Sequence, residues 1–142
     1  MLNIVPMTEE NVAEAARISA ACLKEAWSED TCRAQLKNPH DHTLIAYIDG
    51  TAAGFLSCWC IAGEAEINNI CVLPDYRRKG IARAMFERIF AEIPDAERWV
   101  LEVRESNSAA IALYENLGFA AVGVRKDFYD DPQENAVIMT KE

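Results

Sequence analysis

The segment Ile70-Cys71-Val72-Leu73-Pro74-Asp75-Tyr76-Arg77-Arg78-Lys79-Gly80-Ile81-Ala82-Arg83 constrains the fold of this chain more than any other. The apolar residues up to Leu73 read as the end of a strand, and Pro74 stops it. Helical spacing takes over at Gly80 and runs to about Ile93, after which Trp99 to Arg104 alternates as a strand again. Strand, helix and strand in that order require a crossover, and with it a sheet that carries helices on its faces.

The flanking sequence extends the same pattern. Leu2 to Met7 reads as a strand, and Thr8 is the expected cap of an amphipathic helix reaching about Ala26, with Glu9 and Glu10 in its first turn. Ser28 is the expected cap of a shorter helix to Lys37, stopped by Asn38-Pro39. Thr43 to Ile48 and Ala52 to Ile61 read as strands joined by a tight turn at Asp49-Gly50, followed by a strand from about Glu64 to Leu73. Beyond Arg104, a helix from Asn107 to Leu117 closes on Gly118. Two last strands, Ala120 to Arg125 and Ala136 to Lys141, flank an acidic segment from Asp127 to Glu134. The expectation is an α/β (α+β) chain with an antiparallel hairpin region followed by parallel crossover units.

A length of 142 residues suits one domain, and 51% hydrophobic with 26% charged residues supplies a core without a compositional case for disorder. No apolar run reaches the roughly 18 to 20 residues that span a bilayer, and Met1 to Glu10 does not resemble a secretion signal. A cytoplasmic protein that does not bind membranes is expected. The five cysteines form an odd set, with Cys58 and Cys60 too close along one strand to cross-link comfortably, so reduced thiols are expected. Cys58-Trp59-Cys60 lacks the spacing and further ligands of a zinc site. His40-Asp41-His42 could bind metal or shuttle protons, yet after Asn38-Pro39 it reads as a polar surface loop, and no metal is expected.

With 14 Lys and Arg against 23 Asp and Glu, the net charge is −9, which argues against nucleic acid and for a basic partner. The first 66 residues hold 4 basic and 10 acidic side chains, whereas Arg77, Arg78, Lys79 and Arg83 cluster within seven positions. A strand, a basic glycine-bearing loop and a helix start make an anion site, because first-turn N–H groups lack partners within the helix. The backbone of Arg78, Lys79, Gly80, Ile81, Ala82 and Arg83 could grip a pyrophosphate; the alternative is a loop with solvated side chains. In Trp99 to Arg104, alternation puts Trp99, Leu101 and Val103 on one face and Val100, Glu102 and Arg104 on the other. Partial burial would suit Glu102 to act as a base near neutrality, and pairing with Arg104 or another cation is the alternative. Asn107 and Tyr114, seven residues apart, share one helix stripe that an extended ligand could touch, although a cap and a core aromatic would occupy the same positions.

The run Arg77-Arg78-Lys79-Gly80-Ile81-Ala82, preceded by a strand ending Val72-Leu73-Pro74, resembles the signature of the GNAT N-acetyltransferases, Q/R-x-x-G-x-G/A. The resemblance implies a central mixed twisted sheet of about seven strands with about four helices. It also implies an acetyl-CoA-dependent enzyme whose loop holds the pyrophosphate while Ile70, Cys71 and Val72 pair with the pantetheine arm. Leu101 to Asn107, Ala110 to Phe119, Trp27-Ser28-Glu29 and the tail Phe128-Tyr129 with Glu134 to Met139 are similar to the members that acetylate the N-terminal alanine of a small-subunit ribosomal protein. The tail departs from that pattern at Phe128 and Asn135.

What this resemblance implies is direct attack in a ternary complex. Glu102 would act as the base, Tyr114 as the acid for the thiolate, and a backbone N–H near Cys71 or Val72 as the oxyanion donor, with Asn107 holding the coenzyme arm. Cys71 itself reads as packing, since no histidine neighbours it in the sequence. Trp27, Phe128, Tyr129, Asp130 and Asp131 would meet the acceptor, a basic protein N-terminus. A small amine such as a polyamine or amino sugar, or a non-catalytic acetyl-CoA-binding module, are the competing expectations.

Overall fold

The computed structural model describes residues 1–23 and 26–142. Seven strands form one mixed sheet: β1 (Leu2–Pro6), β2 (Leu44–Ile48), β3 (Thr51–Ile61), β4 (Glu64–Val72), β5 (Arg98–Arg104), β6 (Ala120–Tyr129) and β7 (Glu134–Lys141). Four α-helices are seen among the described residues: α1 (Val12–Cys22), α2 (Glu29–Gln35), α3 (Ile81–Glu92) and α4 (Ser108–Asn116). The strand order is β1-β2-β3-β4-β5-β7-β6. Contacts divide the chain into two compact units, Met1–Cys60 with Asn68–Pro94, and Ile61–Ile67 with Asp95–Glu142.

In the first unit, β1 pairs antiparallel with β2 from Leu2↔Ile48 to Pro6↔Leu44, and β2 turns into β3 through Asp49-Gly50. Both turn residues are left-handed, with φ of 48° and 84°, so this two-residue loop carries the twist its strands need. The helices bury one stripe each: α1 contributes Val12, Ala15, Ile18 and Ser19, and α3 contributes Ile81, Met85, Phe86 and Ile89. Val12, Ala15 and Ile18 join Met7, Cys32, Ile45, Ala52, Phe55 and Cys71 in a continuous core. Buried Ser19 is satisfied because its hydroxyl accepts the Trp27 N–H at 2.7 Å.

The expected cap at Thr8 is corrected. Helix α1 starts at Val12 behind Asn11, with Glu14 in its first turn, and Glu9 and Glu10 precede it. The Asn11 side chain accepts the Thr8 N–H at 2.7 Å and donates to the Pro6 carbonyl at 3.2 Å, so residues 8–11 fold into a turn of their own. The Thr8 hydroxyl accepts the Glu10 N–H, at 3.3 Å. At the other end α1 stops at Cys22; of the residues read as helix beyond it, Lys24 and Glu25 lie outside the described residues. Ser28 does cap α2, accepting the Thr31 N–H at 3.1 Å.

In the second unit, β5 pairs antiparallel with β7, and β7 with β6. The strand directions agree with parallel crossover units, with one addition: β4 and β5 pair in parallel, whereas β7 inserts between β5 and β6, so those two run the same way without pairing. Strand β6 also continues to Tyr129, which puts Asp127 and Phe128 in a strand instead of a loop. The Asn135 side chain accepts the Asp127 N–H at 2.9 Å, one of the bonds that carry the pairing past a register irregularity after Arg125.

Candidate active site

Strand β4 changes partners along its length. Its pairing with β5 covers Glu64↔Arg98 to Glu66↔Val100 and ends there. Further on, Leu73 N–H donates to the Ala53 carbonyl at 2.8 Å, and the Cys71 carbonyl lies 2.6 Å from where a Cβ on Gly54 would be. Backbone groups of Cys71 and Leu73 therefore face β3. By the period of two, those of Ile70 and Val72 face the opposite edge. On that edge the Val72 carbonyl accepts the Arg77 Nε–H at 2.9 Å.

A 3-10 turn, Pro74–Tyr76, leads from β4 into the exposed residues Arg77, Arg78, Lys79 and Gly80. Arg78 and Gly80 are both left-handed, with φ of 63° and 78°, and Lys79 lies over the Tyr76 ring at 5.8 Å. Helix α3 starts at Ile81 with no side-chain cap and no acid in its first turn. Helix α2, by contrast, has the Ser28 cap with Glu29 and Asp30. The first-turn N–H groups of α3 lie at the positive end of its helix dipole. Space above Gly80 is open, with nothing within 4 Å of an added Cβ. An extended backbone edge can pair with an amide-bearing chain, and a helix start of this kind can bind an anion.

Cys71 is 3% exposed and belongs to the core. Burial pushes its thiol well above the ordinary range, and neighbouring Cys22 adds to this, which fits packing and not nucleophilic work. Trp27, named for acceptor contact, is packed on that core with its ring tilted against Phe55 at 6.0 Å. The loop 40–42 is tied to β3: His42 N–H donates to the Cys58 carbonyl, Cys60 N–H donates to the His40 carbonyl, and Asp41 bridges Trp59. No group of three or more His, Cys, Asp or Glu placed to hold a metal is found among the described residues.

In the second unit the alternation of β5 holds. Trp99, Leu101 and Val103 are buried, while Val100, Glu102 and Arg104 are half-buried on the other face. Glu102 pairs with Arg125, whose Nε lies 3.3 Å from Oε2, and Arg104 goes elsewhere. That ion pair lacks hydrogen-bond geometry, so the buried Oε2 has no hydrogen-bond donor among the described residues. The Arg125 guanidinium in turn lies over the Phe128 ring at 5.5 Å. Arg125 and Arg104 both register with Ala136, so Arg125 reaches Glu102 diagonally across β7.

Tyr114 is fixed by the end of α4. Gly118, at φ 103°, donates to the Glu115 carbonyl at 3.0 Å, and Phe119 donates to the Tyr114 carbonyl at 2.9 Å. These are the two bonds of a Schellman motif, and its apolar contact is the edge-on pair Tyr114–Phe119 at 6.1 Å. Tyr114 is 6% exposed as a result. Asn107 caps the same helix, accepting the Ala110 N–H at 3.2 Å. Phe128 is exposed and Tyr129 half-buried, in edge contact at 5.0 Å, and Asp130 and Asp131 project at the exposed turn that follows. Burial pushes the Tyr129 phenol above its ordinary range; the Glu102 carboxylate adds to this and the Arg104 guanidinium opposes it.

Sequence reasoning did not find Arg125 beside Glu102, because only the insertion of β7 puts β6 within reach of β5. Nor did it find the contacts of Arg104, which gather the turn of the acidic segment between the last two strands.

The chain belongs to the acetyltransferase (GNAT) family, whose description matches residues 12–119, and it is an acetyl-CoA-dependent N-acetyltransferase. It is similar to the [ribosomal protein bS18]-alanine N-acetyltransferase of Escherichia coli K12, 44% identical over 118 residues that cover 80% of this chain and 78% of that protein. It is also similar to the N-alpha-acetyltransferase RimI of Mycobacterium tuberculosis, 32% identical over 125 residues covering 83% of this chain and 77% of the other. The crystal structure of the E. coli ribosomal-protein-S18-alanine N-acetyltransferase superposes with a TM-score of 0.90, at 33% identity, over 99% of this chain and 93% of that one.

Proposed function

We propose that the chain acetylates the α-amino group of a protein N-terminus, the acceptor being the N-terminal alanine of a small-subunit ribosomal protein, in the cytoplasm. The observation that carries this reading is Glu102: a carboxylate with a buried oxygen that lacks a hydrogen-bond donor among the described residues, on the strand face that also bears Arg104. Such an oxygen is a reserved acceptor for a proton. A peptide α-amine has a pKa of only ~7.7 to 8.0, so Glu102 takes its proton, directly or through water, without an extreme driving force. Similarity to enzymes named for the alanine of bS18 supports the acceptor.

The remaining residues take supporting parts. Ile70 and Val72 present backbone groups to the pantetheine arm, and the Val72 N–H, facing away from β3, is the donor for negative charge on the thioester oxygen. Arg78 to Arg83 bind the pyrophosphate through the first-turn N–H groups, and Asn107 steadies the arm. Tyr114 returns a proton to the departing thiolate. Phe128, Tyr129, Asp130 and Asp131 receive the first residues of the peptide, with the acids meeting its cationic side chains; Trp27 supports that side through its packing on Phe55.

The test is a mass-spectrometric screen of N-terminal peptides and free amines with acetyl-CoA. Acetylation of an Ala-initiated basic peptide in preference to its N-blocked form and to spermidine is expected. A clear preference for spermidine or an amino sugar would overturn the acceptor assignment.

A further inference from the structure

The Arg104 side chain reaches across to the turn between β6 and β7. Arg104 Nη1 donates to the Pro132 carbonyl at 2.9 Å and to Glu134 Oε1 at 3.2 Å, while Nη2 donates to the Asp130 carbonyl at 3.0 Å. The same guanidinium lies over the Tyr129 ring at 4.5 Å. Its carboxylate partner is braced from another direction, since Glu134 Oε2 accepts the Ser106 N–H at 2.5 Å, next to the Asn107 cap of α4. Arg104 and Glu134 are 28% and 16% exposed, well below what an ordinary solvated pair shows.

We propose that Arg104 is a positioning residue for the acceptor: its guanidinium fixes the Tyr129 ring and the backbone of residues 130–132, and thereby sets acceptor affinity. The inference rests on the acceptor reading above, which gives Tyr129, Asp130 and Asp131 to the peptide. A planar fork of N–H donors can serve two carbonyls and a carboxylate in its plane while an aromatic ring covers its face; an ammonium has the charge without that geometry. Arg104 leaves the base to Arg125 and spends its donors on the turn, so the two arginines that register with Ala136 have separate tasks.

The test compares R104M, R104K and E134Q with the wild type on an Ala-initiated basic peptide, together with acetyl-CoA affinity by calorimetry and amide exchange by mass spectrometry. R104M should raise peptide KM about tenfold, as expected for losing charge-assisted hydrogen bonds. R104K should recover only part of that loss. Acetyl-CoA Kd and kcat at saturating peptide should stay within roughly twofold of wild type, the pattern of lost binding that is equal in ground and transition states. Exchange should accelerate in residues 130–133 and not in α1. Wild-type peptide KM in R104M overturns the proposal, and so does a loss of acetyl-CoA affinity in step with the KM change. If R104M does not fold, R104K and E134Q are judged by the same outcomes. Wild-type enzyme that acetylates spermidine and not the peptide sinks the acceptor reading instead; exchange at 130–133 then decides whether Arg104 holds the turn, and spermidine KM whether the turn serves an acceptor.

Discussion

The two compact units differ in what they offer chemistry. The first offers main chain: an edge of β4 whose Ile70 and Val72 groups face away from β3, and the start of α3, which has no side-chain cap and no acid in its own first turn. The second offers side chains: Glu102 with Arg125, Tyr114 under its Schellman turn, and Arg104 clamped on residues 130–132. In the proposed reading, backbone donors bind an arm and a pyrophosphate common to every cycle and would tolerate change in the side chains around them. Side chains have to be placed one by one, so the second unit is where single substitutions should stop turnover and the first where they should loosen binding.

The largest expected effect tests that division directly. Glu102→Gln should lower kcat by about 10² to 10⁴ while acetyl-CoA Kd measured by calorimetry stays near wild type, and Tyr114→Phe should act in the same direction through the leaving thiolate. Full turnover in both variants under conditions where chemistry limits the rate would remove the chemical role of the second unit.

A smaller effect is expected from Gly80. Replacement with Asp puts a carboxylate at the uncapped start of α3, where an anion is to bind, on a backbone at φ 78°. Acetyl-CoA affinity should fall about tenfold or more, the equivalent of one lost charge-assisted contact. Asn tolerates the left-handed region and has no charge, so Gly80→Asn should keep most of the affinity. Equal losses in the two variants would mean that backbone strain, and not charge, governs the loop.

Those two regions were also unequally legible in the sequence. Pro74, Gly80 and the cluster Arg77-Arg78-Lys79 are local signals, and the strand, turn and helix they predict are where they should be. Alternation along Trp99 to Arg104 likewise gave the correct buried face. Gly118 announced the end of α4, and with it the setting of Tyr114. The Thr8 cap failed because the Asn11 side chain ties the Thr8 N–H and the Pro6 carbonyl into a turn ahead of the helix, a closure decided by geometry. The partners of Glu102 and Arg104 were hidden for a different reason. They depend on β7 coming between β5 and β6, a non-local pairing that no window of sequence contains.

Acid should sharpen the contrast further. Hydrogen bonding from Ser106 holds the Glu134 carboxyl below the usual glutamate range, and Arg104 adds to this. A carboxyl whose folded pKa is depressed stabilises the fold above its unfolded pKa, about 4.3, and the contribution is lost as pH falls through the folded value. Wild type should therefore melt above Glu134→Gln at neutral pH, and the gap should close on acidification below about pH 4. A gap that persists at pH 2 would assign the difference to the amide itself and not to the charged network.

The smallest effect is expected where the second unit meets solvent. Asp130 and Asp131 are exposed at the turn that Arg104 holds, where they contribute to a net charge of −9. Exposed charges steer a cationic chain toward the surface and add little short-range binding, so replacing both with Asn should raise KM for a basic Ala-initiated peptide only about two- to fivefold at low salt. Screening shortens their reach to about 8 Å at physiological ionic strength and about 3 Å at 1 M, so the difference between mutant and wild type should shrink as salt is added. Acetyl-CoA binding, assigned to backbone donors of the other unit, should not follow. The control is a peptide of the same length whose Lys and Arg are replaced by Gln: the double substitution should leave its KM alone at every salt concentration. If KM for the basic peptide is equal in mutant and wild type from 20 mM to about 500 mM salt, the acids only solvate the turn. Acceptor recognition would then rest on Phe128, Tyr129 and the backbone that Arg104 positions.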